Sequence, residues 1–237
     1  MRFWQAAAIG LLAPTVVASQ PVKRPVVGEL FTSEGCSSCP AADAKIAELA
    51  RTRSDLLLLT FHATYWNYLG WQDPYSFDAA TQRQRGYVAL GVSREVYTPA
   101  FIVDGKLDAV GSDAAAVDHT LRQAALFQET AAQIDVQRTP AGLAISVGAG
   151  TGAGNGTLLL IGYDRLHQTH VDRGENSGRT LEEANIVRSM SALGAWSGKA
   201  IHLQVPYPAG QEVAVILQRN DGPIVGAGVA GAASSSS

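Results

Sequence analysis

The sequence predicts an α/β protein built in two segments, and three observations carry that prediction. Up to about residue 130, apolar runs of strand length alternate with helix-period segments in the order β-α-β-α-β-β-α. Beyond Ala131 short strand patterns follow one another, separated by Gly, Pro and Asn turns that include Asn155-Gly156 and Asp221-Gly222. Such punctuation is the texture of an antiparallel β-sandwich. Finally, the only two cysteines of the 237-residue chain form a Cys-x-x-Cys, Cys36-Ser37-Ser38-Cys39, where the first strand pattern gives way to a helix.

Residues 1–19 read as an export signal. Arg2 supplies a short positive region, Phe3 to Val17 is an apolar run, and Ala18-Ser19 offers small residues for cleavage. The run is shorter than the ~20 apolar residues of a spanning helix. The expected location is therefore periplasmic or secreted, without stable membrane insertion after cleavage. A vicinal cysteine pair persists as a disulfide in such a compartment.

Pro25 to Phe31 reads as a buried strand with one internal carboxylate, Glu29. After the cysteines, Ala42, Ile46, Leu49 and Ala50 recur at helical spacing, and Pro40 fits a first helical turn. Leu56 to Phe61 is a continuous apolar strand. Asp78 to Leu90 reads as a helix ended by Gly91, and Ala100 to Val103 as a strand turning at Asp104-Gly105. Ser112 is placed to cap a helix running to about Gln128. Expected strands of the second segment are 134–137, 143–147, 157–163, 201–205, 212–218 and 224–229. The expected division is a first domain over 20–130, a sandwich domain over 131–232, and a disordered tail over 233–237.

Net charge is −3, so no basic field points to nucleic acid. No Ser-His-Asp series, phosphate loop or paired-carboxylate motif stands out. The dithiol is the feature that carries chemistry. Cys36 is expected to be an exposed nucleophile and Cys39 the buried resolving thiol. Helix amides and their dipole stabilise a thiolate at that position, while Glu34 opposes one. A disulfide closing so short a loop removes only roughly 2 kcal/mol of unfolded-state entropy, so stability alone is a weak reason for it.

The order of elements, with Cys-x-x-Cys after the first strand and Thr98-Pro99 before the third, resembles the thioredoxin superfamily. Glu29 to Pro40, Tyr65 to Pro74, Val96 to Pro99, Val103 to Gly105 and Arg173 to Leu181 together resemble the secreted DUF1223 family. The resemblance implies a thioredoxin-like first domain, a redox-active Cys36–Cys39 disulfide without other cofactor, and a cis peptide bond at Pro99. It also implies that Tyr97 and Thr98 line the approach to Cys36. Where the family has Asp, this chain has Thr64 and Asn67. Glu29 is either a proton acceptor for Cys39 or a carboxylate paired with Lys or Arg. Tyr65, Trp66, Tyr68 and Trp71 form either one wall of a substrate groove or a packed satellite core. The Arg173 to Arg179 segment, with Glu182, Glu183, Asn185 and Arg188 after it, reads as a salt-bridged long loop or as a surface for a partner or for the first domain.

The leading functional expectation is an exported thiol–disulfide oxidoreductase acting on protein cysteines, its partners being protein thiols or disulfides and a further redox protein. One alternative is a Cu(I)-binding assembly factor using Cys36, Cys39 and His62, since thiolates and imidazole suit that ion. Another is a non-catalytic protein-binding module. His167 and His170 lack further ligands at a recognised spacing.

Overall fold

The computed structural model describes residues 23–130, 132–150 and 155–231. The expected signal peptide and the Ser-rich tail lie outside them. Eleven strands and three helices follow in order: β1 (Val26–Thr32), α1 (Pro40–Thr52), β2 (Leu56–His62), α2 (Asp78–Ala89), β3 (Ala100–Val103), β4 (Leu107–Val110), α3 (Ala114–Leu126), β5 (Ile134–Thr139), β6 (Gly142–Val147), β7 (Gly156–His170), β8 (Thr180–Trp196), β9 (Ile201–Val205), β10 (Glu212–Arg219) and β11 (Ile224–Val229). A 3-10 turn, Thr64–Leu69, follows β2.

The molecule is a mixed α/β structure with one large sheet and one small one. Eight strands form the large sheet in the order β11-β10-β7-β8-β2-β1-β3-β4, and β5-β6-β9 form an antiparallel sheet of three. The large sheet takes strands from both sides of residue 130. The join is a short parallel contact, Thr60 against Ile186, where Thr60 Oγ1 donates to Ala184 O at 2.7 Å and Asn185 Nδ2 to Leu58 O at 2.9 Å.

Alternation along the strands sorts side chains between two faces. Val27, Phe31, Leu59, Phe61, Ile102, Ile161, Val187 and Ile216 make one apolar layer that runs across the join. The other face carries two layers. Val26, Leu30 and Leu58 meet Ala42, Ile46, Val117 and Leu121 of α1 and α3. Leu158, Leu160, Val213 and Val215 meet Val136, Leu143, Ile145 and Val147 of the small sheet.

Most expected elements stand within a residue or two. Pro40 opens α1, and Asp104 and Gly105 hold positive φ of 48° and 64° at the β3–β4 turn. Asp113, rather than Ser112, caps α3, its carboxylate accepting from the amides of Ala115 and Ala116. The main difference is β8. Its seventeen residues pair along almost the whole of β7, which itself runs on to His170 rather than ending at Tyr163. Glu182, Glu183, Asn185 and Arg188 gave that segment the look of a polar loop.

Candidate redox site and the buried charges behind it

The polypeptide leaves β1 at Thr32 and turns through Ser33 to Ser38 into α1. Ser33 Oγ accepts the amide of Gly35 at 3.1 Å, and the amide of Cys36 donates to Ser33 O at 3.1 Å. Cys39 is the residue before the first helical turn, and its amide donates to Cys36 O at 3.2 Å. These bonds bring the sulfurs together in a disulfide with Cα atoms 5.4 Å apart.

Both cysteines have 0% exposed surface. The expectation of an exposed Cys36 is therefore corrected. The loop joining β7 to β8, 140 residues away, is bonded to the same turn. Asn176 Nδ2 donates to Glu34 O and to Cys36 O, each at 2.9 Å, and Glu175 Oε2 accepts the amide of Ser37 at 3.0 Å. Arg179 Nη1 donates to Asn176 Oδ1 at 2.9 Å and fixes the amide group that makes the two bonds. The Ser37 amide is thus already occupied.

The Thr98–Pro99 peptide bond is cis. Trp66 Nε1 donates to Thr98 Oγ1 at 2.7 Å, and Trp66 Cβ lies beside Gly35, so one tryptophan touches both the proline loop and the cysteine turn. Pro99 and Ala42 of α1 are neighbours around Gly111. Tyr97 points elsewhere: its hydroxyl donates to Asp108 Oδ1 at 2.7 Å, and burial first, then that carboxylate, raises its pKa. Tyr68 is exposed. Trp71 Nε1 donates to Glu34 Oε2 at 2.6 Å.

Glu29 is on the face opposite α1, in the layer of Phe31 and Tyr87. Arg83 of α2 holds both its oxygens, at 2.6 and 2.9 Å, and Tyr87 donates its hydroxyl to the same carboxylate. Of the two roles open to Glu29, the structure supplies the ion pair.

The carboxylates behind the disulfide are others. Asp43 lies one helical turn after Cys39, the spacing that puts two side chains on one helix face. It is buried, as are Glu34, His62, Asp73 and Glu183. His62 Nδ1 is 2.9 Å from Asp73 Oδ2, and His62 Nε2 faces Glu183 Oε1 at 3.6 Å. Asp73 Oδ2 also accepts the amide of Glu34 at 2.9 Å and the hydroxyl of Ser33 at 3.3 Å, which links the cluster to the cysteine turn.

Burial pushes Asp43 up to about 7, against the pull of His62. It pushes Glu183 well up and Glu34 up as well. Burial alone lowers the His62 pKa, but the charge of Asp73 and then of Glu183 outweighs it and lifts the imidazole to about 10. The same imidazolium holds Asp73 below its ordinary range, although burial opposes this. Burial thus favours the protonated form of the Asp43, Glu183 and Glu34 carboxyls, beside the imidazolium–carboxylate pair of His62 and Asp73. Both Asp43 oxygens, both Glu183 oxygens and His62 Nε2 have no hydrogen-bond partner.

His62 thus faces a carboxylate on each side, Asp73 at 2.9 Å and Glu183 at 3.6 Å. No group of three or more His, Cys, Asp or Glu with metal-holding geometry occurs among the described residues. Among those residues no helix is long and apolar enough to cross a membrane. Sequence reasoning placed Glu34, Cys36, Cys39 and His62 near one another but missed Asp43, Asp73, Glu183, Glu175 and Asn176 as site residues. A carboxylate one turn after Cys39 on the inner helix face was the available signal.

Residues 26–218 match a family described only as protein of unknown function, DUF1223. Among curated proteins, none matches the chain. A crystal structure of a protein from Agrobacterium tumefaciens is similar over 90% of this chain and 95% of that one, with 28% identity and a TM-score of 0.75. HBP35 of Porphyromonas gingivalis is similar in fold, with 17% identity and a TM-score of 0.58 over 87% of this chain and 74% of its own.

Proposed function

The chain belongs to the DUF1223 family, and we propose that it is an exported thiol–disulfide oxidoreductase acting on protein cysteines through the Cys36–Cys39 couple. The observation that carries the reading is a vicinal disulfide at the amino end of α1 with the buried carboxyl of Asp43 one helical turn further on. Dithiol exchange moves a proton as well as an electron pair, and a nearby carboxyl group can give or take it. The strand order β2-β1-β3-β4, with α1 and α3 on one face and α2 on the other, supports a thioredoxin-like reading of this portion.

In the proposed exchange, a substrate thiolate attacks the Cys36 sulfur. The Cys36–Cys39 bond breaks, its electron pair stays on Cys39, and the Asp43 carboxyl protonates that sulfur. A second substrate thiolate then attacks the mixed disulfide and expels Cys36 as a thiolate. Substrate leaves with a new disulfide and the protein as the dithiol, two electrons having passed to it. Run backwards, with Asp43 as base towards Cys39, the same steps reduce a substrate. His62 and Asp73 fix the charge around Asp43, which sets how readily it gives or takes the proton.

The test is capture of mixed disulfides on Cys36 in a Cys39→Ala strain, together with insulin reduction and refolding assays of the wild type. Covalent adducts that disappear on reduction support the reading. Absence of adducts combined with no activity in either assay removes it.

A further inference from the structure

We propose that the β7–β8 loop, residues 171–179, is a redox-gated lid, closed over the disulfide through Glu175 and Asn176 and released when Cys36 becomes a thiolate. The inference rests on the reading that the Cys36–Cys39 couple cycles, and it names how that site is regulated.

The loop bonds fall where such a device needs them. They reach Glu34 O, Cys36 O and Ser37 N, the backbone on both sides of Cys36, and Cys36 is fully buried. Exchange requires an incoming sulfur to approach the disulfide, and a closed lid leaves Cys36 no surface to approach. The lid has little else holding it. Only Val171 and Asn176 of the loop are buried, while Asp172, Arg173, Glu175, Ser177, Gly178 and Arg179 are exposed. Gly174 and Gly178 stand at φ of 81° and 80°, a left-handed backbone that glycine adopts freely at a loop end. Opening therefore breaks a few hydrogen bonds and exposes little apolar area.

Redox state enters through charge. Around Cys36, the amide of Cys39 is spent on Cys36 O, and Pro40 has none to give. The Ser38 hydroxyl lies 3.4 Å from Cys36 Sγ, and the amide of Ser37, the next residue after Cys36, is accepted by the Glu175 carboxylate at 3.0 Å. A disulfide carries no charge and tolerates that carboxylate. A Cys36 thiolate is a second anion, one residue from the amide that this carboxylate holds, and like charges disfavour one another. Coupling of this kind is reciprocal: a lid that the thiolate repels must itself favour the disulfide. Glu175 is accordingly a positioning residue acting through the Ser37 amide, and Asn176 the latch.

The experiment is hydrogen exchange on the full chain, oxidised and then reduced with dithiothreitol, whose two thiols supply both electrons and leave as a cyclic disulfide. Exchange of Ser37 and of 171–179 is expected to rise at least tenfold on reduction. In Glu175→Gln, which keeps an acceptor but removes the charge, that difference is expected to fall below threefold. Asn176→Ala is expected to speed reduction of the oxidised protein by dithiothreitol at least tenfold. Equal exchange in the two redox states, an undiminished difference in Glu175→Gln, or an unchanged rate in Asn176→Ala overturns the lid. Should Asn176→Ala fail to fold, the wild-type comparison decides alone. A lid released on reduction in a protein that captures no thiols leaves this inference standing and removes the oxidoreductase. Captured thiols with an unmoved loop do the reverse.

Discussion

His62 Nδ1 lies 2.9 Å from Asp73 Oδ2, and neither side chain has exposed surface. A buried imidazolium paired with a buried carboxylate makes stability depend on pH. His62 titrates near 6.5 when unfolded and near 10 in the fold, so its contribution is complete below 6.5 and lost as pH rises towards 10. Asp43 is raised from 3.8 to about 7, so between those values the fold binds a proton that the unfolded chain releases. Here too stability falls as pH rises. Thermal unfolding is expected to show highest stability at mildly acidic pH and a continuous decline from about pH 5 to pH 10. Asp43→Asn should flatten the limb below pH 7. A flat or rising profile from pH 5 to 9 would falsify the charge assignment.

Asp43 also predicts kinetics. Re-oxidation of the dithiol requires Cys39 to lose its proton, and a base near 7 collects it increasingly as pH passes that value. Oxidation by glutathione disulfide, followed by quenching with an alkylating agent, should therefore show a break near pH 7. In Asp43→Asn the break should vanish and the rate at pH 8 should fall on the order of 10²-fold. A variant matching the wild type at every pH would exclude Asp43 as the proton acceptor.

The dithiol and the strands of the first half were legible because each rests on local chemistry, while the cis proline came from the family resemblance. Pro40 opens a helix, Asp104-Gly105 closes a turn, and Leu56 to Phe61 has no face to offer water. What escaped was whatever the tertiary fold decides. Glu183 and Asn185 look solvent-seeking in sequence, yet they sit in β8 where it meets β2 and hydrogen-bonds to it. Glu175 and Asn176 belong to a polar loop whose partners are backbone atoms 138 to 142 residues earlier, and no periodicity reports such a contact. Asp43 was readable as a helix residue but not as a buried one, because a carboxylate in a first turn is ordinarily a solvated helix end.

Arg83 and Glu29 give a prediction that separates fold from chemistry. Their ion pair is buried, with side-chain exposures of 6% and 0%, and Arg83 also donates to Tyr87 at 2.9 Å. Removing one partner strands the other, a loss of about 3–5 kcal/mol. Arg83→Leu should show that loss in chemical denaturation, with dithiothreitol reduction of whatever remains folded proceeding at the wild-type rate. A large change in that rate with little change in stability would return Glu29 to the proton-acceptor role.

Gly111 predicts how tightly the proline loop is held against the helix that carries Cys39. Its amide donates to Pro99 O at 2.8 Å. A Cβ placed there would stand 2.9 Å from Leu30 Cδ1, 3.2 Å from Ala42 Cβ and 3.2 Å from Pro99 Cβ. These neighbours come from β1, α1 and the turn before β3, so no single side chain can swing aside to make room. Overpacking of this kind costs about 1–3 kcal/mol. Gly111→Ala should lose that much stability in denaturant, and because Pro99 is among the displaced groups, its reduction by a thiol-bearing peptide should change more than its reduction by dithiothreitol. Equal effects on both reductants would show that Pro99 takes no part in how a peptide reaches Cys36.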